Sequence, residues 1–443
     1  MTDIVAPLSV PKAAEKQKAG PMAVLRITSG HFLEMFDFIL FGFYATSISR
    51  AFFPSYSEYA QLMLTFMTFG AGFLMRPVGA IVLGAYVDRV GRRKGLLITL
   101  GMMALGTVLI AFTPNYAVIG ALAPCLVLIG RLVQGLSAGA ELGNVAVYLT
   151  EIAPPGREGF YVSWQAVGQQ VGIILAAVIG YLINVALSPQ QIDEWGWRIP
   201  FVIGSMIVPL LFVLRRSLVE TDTFLARKRR PTNAEIFRSV ARNFQVVIAG
   251  MLLVTGTSVS FYLLSIYTPT FGKTVLHLSI LDSLMVSLLS AIFNAVMFPV
   301  MGALSDRIGR KRLLLTFSAL MILTAYPVLH WLVEAPSFPR MLIVLLWLNF
   351  AYCGYTAGMY AGLTEVMPLE VRTTAWSLAF SLSVATFGGF TPAIVTWLIA
   401  ATGDRGAPGI WMGVGGLCGM LATLYLYRRG RKAVGADSLR SAG

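Results

Sequence analysis

Charged residues are scarce in this chain. Only 12% of the 443 residues are Asp, Glu, Lys or Arg, whereas 56% are hydrophobic and the mean hydropathy is +0.73. A chain with so few charges cannot surround itself with a water-exposed surface. We therefore exclude a soluble globular protein and predict an integral membrane protein.

Cysteine and histidine are also rare, with three of each. Cys125, Cys353 and Cys418 lie in apolar surroundings without paired spacing, which argues against a disulfide framework and a zinc site. We therefore expect no metal and no cofactor. The chain also lacks the HExxH pattern and a supported Cys–His nucleophile pair, so we predict that it is not an enzyme.

Long apolar stretches occupy most of the chain. Each is long enough, at about 20 residues, to cross a bilayer as a helix. These stretches predict an all-α membrane protein with twelve transmembrane helices. The spans lie near 25–50, 60–87, 95–113, 119–149, 158–186, 198–217, 244–271, 281–304, 313–333, 340–366, 373–400 and 407–427.

The net charge of +13 is distributed unevenly around these spans. Of the 34 lysines and arginines, 27 fall at the chain ends or in loops on one side, and only five on the other. Positive residues accumulate on the cytoplasmic side of membrane proteins, so we predict that both termini are cytoplasmic. This distribution accounts for the basic charge, and we expect no nucleic acid as a partner.

Two sequence patterns occur twice. GAYVDRVGRRK at 84–94 returns as GALSDRIGRKR at 302–312, and TEIAPPGR from Thr150 is matched by TEVMPLEVR from Thr364. Matched signatures at corresponding spans indicate that a six-helix unit was duplicated. The predicted divisions are a cytoplasmic tail at 1–21, a six-helix bundle at 22–217, a cytoplasmic linker at 218–243, a second six-helix bundle at 244–428 and a cytoplasmic tail at 429–443.

The repeated G-x-x-x-D-R-x-G-R-R/K pattern resembles the signature of the major facilitator superfamily. EMFDF at 34–38, MRPVGA at 75–80, GRLVQGLSAGAELG at 130–143 and WGWRIPF at 195–201 are similar to its metabolite:proton symporters, above all to bacterial citrate–proton symporters and their tricarballylate-transporting relatives. The resemblance implies proton-coupled uptake of citrate or a related tricarboxylate by alternating access, in the bacterial inner membrane. The expected partners are a small organic anion, protons and the lipid bilayer, and we expect a functional monomer.

Other substrates remain open within this family resemblance. Tricarballylate and dicarboxylates such as 2-oxoglutarate are alternatives that use the same charge chemistry. An osmolyte symporter for betaine or proline is a further alternative, although a zwitterion needs fewer arginines than a tricarboxylate.

The first span carries charges within an apolar run, SGHFLEMFDFILFGFY at 29–44. His31, Glu34 and Asp37 fall on one side of a helix, and charge facing lipid is costly, so this side should face a polar cavity. Polar stripes in the fourth and fifth spans and Arg76 in the second favour the same cavity. The central parts of the second-half spans carry no charge, so we expect the charge chemistry in the first half.

Asp37 and Glu34 are the candidates for carrying the proton, with Arg131 as the partner of Asp37. Moving an arginine toward or away from a carboxyl changes which protonation state is favoured, so a conformational change can load and release the proton. In sugar–proton symporters a first-helix aspartate and a fourth-helix arginine resemble this pair, which implies the same role here. A permanent structural ion pair is the alternative.

Arginine supplies the planar, forked donors that suit a tricarboxylate. We predict Arg76 and Arg131 as substrate ligands, followed by Arg198, which beside Trp195 and Trp197 also fits an outer membrane interface. His31 either binds substrate or takes part in the proton path. The expected hydrogen-bond partners of the substrate are His31, Asn144, Gln165, Gln169, Tyr262 and Asn294.

The duplicated loops predict charge clusters that form a cytoplasmic gate and hold one state closed. The predicted gate residues are Asp88, Arg92, Glu151 and Arg157 in the first half, and Asp306, Arg310, Glu365 and Arg372 in the second. Positive-inside topology alone accounts equally well for the arginines, but it does not require the carboxylates.

Overall fold

The computed structural model describes residues 31–54, 57–90, 92–139, 142–216, 242–367 and 372–440, and these are almost entirely helical. A helix satisfies its backbone N–H and C=O groups within one segment, as an apolar segment in lipid requires. The all-α prediction is therefore confirmed. The predicted tail at 1–21 and most of the predicted linker at 218–243 lie outside the described residues.

The helices before the predicted linker follow the predicted spans with two differences. The span at 25–50 is divided at Tyr44, and the span at 119–149 comprises two helices. The bounds are α1 (His31–Phe43), α2 (Ala45–Phe52), α3 (Glu58–Val90), α4 (Arg92–Phe112), α5 (Tyr116–Ile119), α6 (Leu122–Ala138), α7 (Leu142–Ile152), α8 (Glu158–Ala186), α9 (Pro189–Glu194) and α10 (Ile199–Arg216), with a 3₁₀ turn at Gly196–Arg198.

The helices after the linker also follow the predicted spans, and only the span at 373–400 is divided. The bounds are α11 (Phe244–Phe261, continued by π-helical Tyr262–Tyr267, α-helical Thr268–Thr270 and π-helical Phe271–Val275), α12 (Ile280–Ile308), α13 (Arg310–Glu334), α14 (Phe338–Val366), α15 (Arg372–Ser383), a π-helical turn (Val384–Gly388), α16 (Thr391–Thr402) and α17 (Pro408–Arg440). Helix α17 runs on through most of the predicted tail at 429–443.

Several of these helices are long and apolar enough to cross a membrane. Within the described ranges there are eight: Glu58–Leu83, Glu158–Ala186, Phe244–Val275, Ile280–Ile308, Arg310–Glu334, Phe338–Val366, Arg372–Thr402 and Pro408–Arg428. Leu97–Phe112 and Leu122–Ala138 are apolar but shorter. A multi-pass membrane protein is thus confirmed, whereas twelve spans with two cytoplasmic termini stay a prediction.

Close packing of α3 on α6 positions two buried arginines. A Cβ atom added to Gly135 would lie 1.7 Å from the carbonyl oxygen of Gly72, so both positions require glycine for the helices to approach this closely. Arg76 lies one turn after Gly72 on α3, and Arg131 lies one turn before Gly135 on α6. The contact therefore brings both guanidinium groups to the same region.

The two halves of the chain meet along α8 and α12. A Cβ atom on Gly159 would lie 2.7 Å from the carbonyl oxygen of Gly302, which shows how closely the backbones approach. Helix α3 makes a second contact between the halves, against α15 and α16. The buried residues of α1, α3 and α6 are consequently enclosed by helices of both halves.

Candidate functional site

The structure brings the predicted proton and substrate residues Asp37, Arg76 and Arg131 together. Their exposed fractions are 0%, 1% and 0%. The Cζ atoms of Arg76 and Arg131 lie 5.6 and 5.5 Å from the centroid of the Phe38 ring, one residue after Asp37. The three side chains therefore share one enclosed volume, and none of them contacts lipid.

Asp37 and Arg131 are joined through the amide of Gln134. Arg131 Nη1 donates to Gln134 Oε1 at 2.9 Å, and Gln134 Nε2 donates to Asp37 Oδ2 at 2.8 Å. The hydroxyl of Thr107 also donates to Asp37 Oδ2. The predicted partnership of Asp37 and Arg131 is thus indirect, and the sequence interpretation did not include this bridge.

Glu34 forms an ion pair with Arg76 in the same volume. The Arg76 guanidinium also lies over the Phe73 ring at 5.1 Å, and that of Arg131 lies over Phe41 at 3.7 Å. Aromatic faces stabilise a cation without neutralising it. Arg76 Nε and Arg131 Nε and Nη2 are buried and have no hydrogen-bond partner among the described residues.

The second half contributes an aromatic wall to this volume. The Tyr262 ring packs edge-on against Phe73 and Phe69, with centroids 5.2 and 6.0 Å apart. Tyr262 also lies within electrostatic range of Arg76 and Arg131. The predicted ligand Tyr262 is therefore at the charged cluster, on the face that the second half presents.

Helix α8 supplies two more of the predicted ligands. Gln165 is completely buried, and neither its Oε1 nor its Nε2 has a partner in the described part of the chain. Gln169 lies within interaction range of the hydroxyl of Tyr360 of α14. The backbone of His31 and Asn144 is helical, but their side chains lie outside the described part of the structure.

Arg198 and Asn294 have protein partners away from this cluster. Arg198 donates to the Thr113 carbonyl oxygen at 3.1 Å and to Asn115 Oδ1 at 2.5 Å, and it stacks on Trp197. Asn294 donates to Asn349 Oδ1 at 2.8 Å. The structure thus joins Arg198 to the loop after α4 and pairs Asn294 within the second half.

Part of the predicted gate also assembles. Arg310 contacts Asp306 at 2.8 Å, Glu365 at 2.9 Å and Glu158 at 3.3 Å. Asp306 accepts from the backbone N–H groups of Gly159 and Phe160 at 2.8 and 2.9 Å, at the start of α8. These contacts join the two halves. The position of the Asp306 carboxylate at a helix N-terminus makes its contact with α8 stabilising.

The other predicted gate residues do not join the Arg310 cluster. Glu151 and Arg157 are exposed, and neither they nor Arg372 forms an ion pair with another described residue. Asp88 and Arg92 lie at the junction of α3 and α4, where the structure does not describe their side chains. The ion contacts found are therefore centred on Arg310, in the repeated pattern at 302–312.

Sequence reasoning missed Thr107 and Glu158 and did not assign a role to Gln134. Gln134 belongs to the polar stripe of the fourth span, which was a usable signal. Thr107 is a hydroxyl residue in the middle of an apolar span, a pattern that also fits simple packing. Glu158 contacts Arg310 because α12 approaches the start of α8.

The sequence matches known proteins over most of its length. The model of the Major Facilitator Superfamily matches residues 27–325 and 283–442. A citrate-proton symporter of Salmonella typhi is 58% identical over 92% of this chain and 94% of its own. An alpha-ketoglutarate permease of Escherichia coli (strain K12) is 32% identical over 92% of this chain and 94% of its own.

The fold is also similar to that of a solved transporter. The xylose transporter XylE from E. coli, in a partially occluded inward-open conformation, superposes with a TM-score of 0.71 at 19% identity, over 91% of this chain and 96% of the XylE chain. The matching family and relatives are those of transporters, which confirms the prediction that the protein is not an enzyme. The chain belongs to the major facilitator superfamily.

Proposed function

We propose that this protein is a secondary active transporter that takes up citrate or a related tricarboxylate together with protons, by alternating access in the bacterial inner membrane. The observation that carries this proposal is 58% identity to a citrate-proton symporter over nearly the whole chain. The enclosed cluster of Asp37, Arg76 and Arg131 supports it, since these groups suit a proton and an anion.

The proposed architecture has twelve spans in two six-helix bundles, at 22–217 and 244–428, with both termini in the cytoplasm. The distribution of Lys and Arg supports this topology. The eight long apolar helices support it too, because the remaining four spans coincide with shorter or divided helices. We propose that one monomer in the bilayer contains the whole transport path.

We propose that Arg76 and Arg131 bind the substrate carboxylates. A buried guanidinium with unpartnered N–H groups carries a desolvation cost that an anionic ligand offsets. Gln165 supports the assignment in the same way, because its buried amide has both ends free to bind. His31, Asn144, Gln169 and Tyr262 complete the proposed set. Arg198 and Asn294 have protein partners and are not included in it.

We propose that Asp37 takes up the transported proton, with Glu34 as the second candidate. Arg131 is the cation whose position relative to Asp37 decides which protonation state is favoured. Energetics favour proton coupling, since moving an anion into a negative-inside cell costs about 2.3 kcal/mol per charge per 100 mV. For a citrate trianion the cost is about 7 kcal/mol at that voltage. Three protons cancel this electrical cost, and additional protons make entry favourable.

We propose that the ion cluster around Arg310 is the cytoplasmic gate of one closed state. It joins Asp306 and Glu365 of the second half to Glu158 and the start of α8 in the first half. Rocking the halves apart breaks these contacts. Asp88, Arg92, Glu151 and Arg157 are proposed to act in the corresponding first-half cluster or in another state, and Arg372 of the second half in another state.

Uptake of labelled citrate into proteoliposomes tests the proposed function. We expect accumulation when the outside is more acidic than the lumen, and loss of accumulation when a protonophore collapses the gradient. Unlabelled citrate and tricarballylate should compete, and betaine should not. Competition by betaine without competition by either tricarboxylate would overturn the substrate assignment.

2-Oxoglutarate is a second candidate substrate. The observation that favours it is the 32% identity to the alpha-ketoglutarate permease. Its two carboxylates fit two arginines as well as two of the three carboxylates of citrate do. If 2-oxoglutarate competes at lower concentration than citrate in the same assay, it replaces citrate as the proposed substrate.

A further inference from the structure

The amide of Gln134 separates Asp37 from Arg131. No direct ion pair joins these two residues in the described structure, and the amide instead receives from Arg131 Nη1 and donates to Asp37 Oδ2. Gly106 leaves room for this geometry, because a Cβ atom there would lie 2.4 Å from Gln134 Cγ. The arrangement is therefore built by the packing of α4 on α6.

Thr107 on α4 completes the bridge and has two acceptors for its hydroxyl. It donates to Asp37 Oδ2, and its Oγ1 also lies 3.0 Å from the Met103 carbonyl oxygen. Gln134 Nε2 lies 3.2 Å from the same Oγ1. A hydroxyl carries one hydrogen, so Thr107 donates to Asp37 or to Met103 at any one time.

These contacts accommodate both protonation states of Asp37. In the ionised state, Oδ2 accepts from Thr107 and Gln134. When one proton joins Oδ2, the new O–H donates to Thr107 Oγ1, whose own hydrogen turns to the Met103 carbonyl oxygen. Gln134 still donates to Thr107, so no donor of the bridge is left unpaired.

The two states differ in how firmly Arg131 is held. A hydrogen bond to a carboxylate is stronger than one to a neutral acid, so protonation weakens the link from Gln134 to Asp37. Gln134 is then anchored less firmly by Asp37 and holds Arg131 less firmly, while Arg131 Nε and Nη2 stay buried and unpartnered among the described residues. A carboxylate of the substrate is the group that such a cation binds.

We propose that Gln134 and Thr107 are positioning residues for proton coupling: they hold Asp37 in either protonation state and transmit its protonation to Arg131. This inference rests on the proposed proton symport. It predicts an order of events in which proton binding prepares Arg131 for the anion. The reverse step, in which Asp37 ionises and recaptures Gln134 and Arg131, promotes substrate release.

The charged and titratable groups around the bridge are few in the described part of the chain. Helix α1 contributes Asp37 and Glu34, α3 contributes Arg76, α6 contributes Arg131, and α11 contributes Tyr262. Helix α10 faces Asp37 Oδ1 with Gly204, which has no side chain to titrate. A change in pH response caused by removing an uncharged bridge group therefore reports on these residues, with Asp37 in direct contact.

The test uses purified full-length protein carrying Gln134→Leu or Thr107→Val, both of which remove bridge hydrogen bonds with little change in volume. Thr107→Ser is the conservative variant, since it keeps the hydroxyl. Ser137→Ala is the matched control, because Ser137 lies one turn from Gln134 but donates to the Thr99 carbonyl oxygen. Infrared titration follows the band of protonated Asp37, identified by its loss in Asp37→Asn.

We expect Gln134→Leu and Thr107→Val to displace the midpoint of this titration by about one pH unit, because each removes a hydrogen bond to a charged group. Thr107→Ser and Ser137→Ala should titrate as the wild type does. In proteoliposomes, the same two variants should lower pH-driven accumulation about tenfold and leave citrate counterflow, which needs no net proton movement, within about threefold.

Unchanged titration in both variants overturns the inference. A parallel fall of counterflow and accumulation also overturns it, since that result describes a structural defect. If the wild type does not accumulate citrate, the proposed function fails, whereas a displaced titration midpoint still supports the bridge. The infrared measurement contains no substrate, so the two failures are distinguishable.

Discussion

The two halves of the molecule use buried polar groups differently. In the first half, the buried polar groups include the charged residues Glu34, Asp37, Arg76 and Arg131. In the second half, the buried polar residues among the described ones are neutral apart from the nearly buried Asp306–Arg310 pair at the junction of α12 and α13, and several pair with one another, as Asn294 does with Asn349. The proposed ion and anion chemistry thus lies in the first half, and the second half supplies shape and aromatic surface.

The comparison has a physical reason. A buried charge is costly unless a partner compensates it, whereas two neutral amides satisfy each other's hydrogen bonds. The first half therefore holds buried N–H and C=O groups without hydrogen-bond partners among the described residues, in Arg76, Arg131 and Gln165, and a ligand can bind them. The Asn294 amide of the second half has its hydrogen bonds with Asn349 and Cys353 and demands no ligand.

The largest effect is expected from Asp37→Asn. This change removes the proposed proton acceptor but keeps the shape of the side chain. Accumulation of citrate against its gradient should fall at least about a hundredfold, as expected when coupling is lost. Counterflow should persist, measured as exchange of labelled for unlabelled citrate at equal pH. Full accumulation by Asp37→Asn would assign the proton to another residue, with Glu34→Gln as the next variant to measure.

Arg76→Lys and Arg131→Lys should each weaken citrate binding. Lysine keeps the charge but lacks the forked donors, so the half-saturating citrate concentration should rise about tenfold to a hundredfold. The measurement is citrate-dependent counterflow. Arg198→Lys is the matched control in the same half, and its citrate dependence should stay near that of the wild type. An equal loss for Arg198→Lys would place substrate contacts outside the buried cluster.

Asp306→Asn should weaken the ion cluster that joins the halves. A neutral amide binds Arg310 and the N-terminus of α8 less strongly, by about 1–3 kcal/mol. We expect a several-fold lower uptake rate and easier alkylation of a cysteine placed near Gly159. Arg307→Gln, at an exposed position of the same signature, is the control. Unchanged alkylation in Asp306→Asn would mean that this cluster does not keep the halves together.

Asn294→Leu should affect stability more than transport. It leaves Asn349 Oδ1 buried without its donor, while Asn349 Nδ2 still donates to the Leu345 carbonyl oxygen, and the cost is about 1–3 kcal/mol in the free energy of unfolding. Replacing both residues by leucine should recover part of that loss. Thermal unfolding in detergent measures the first effect, and citrate uptake should stay within about twofold of the wild type. Loss of citrate uptake by Asn294→Leu at normal stability would instead mean that Asn294, a neutral residue of the second half, contacts the substrate.

Helical periodicity was sufficient to predict that Asp37 and Arg131 face one cavity, because lipid excludes charge from other faces. It was not sufficient to predict the Gln134 bridge, which depends on a side-chain rotamer and on the space beside Gly106. Arg198 shows a similar limit, since its partners Thr113 and Asn115 follow a different helix in the sequence. Sequence patterns report which side of a helix is polar, and tertiary contacts decide which polar groups remain available.

The predicted gate residues give the same lesson at the loops. The repeated signature predicted that Asp306, Arg310 and Glu365 would meet, and they do. Glu158 joins them because the two halves close at Gly159 and Gly302, a contact that no local pattern encodes. Contacts between distant segments were thus the part that the sequence could not supply.

Simultaneous recording of citrate entry and luminal pH in proteoliposomes tests the central claim most directly. With equal pH on both sides and the membrane voltage clamped by potassium and valinomycin, adding external citrate should acidify the lumen of vesicles containing the wild type. Vesicles containing Asp37→Asn should take up citrate down its gradient without this acidification. Citrate entry by the wild type with no change in luminal pH would contradict proton symport through the buried first-half cluster.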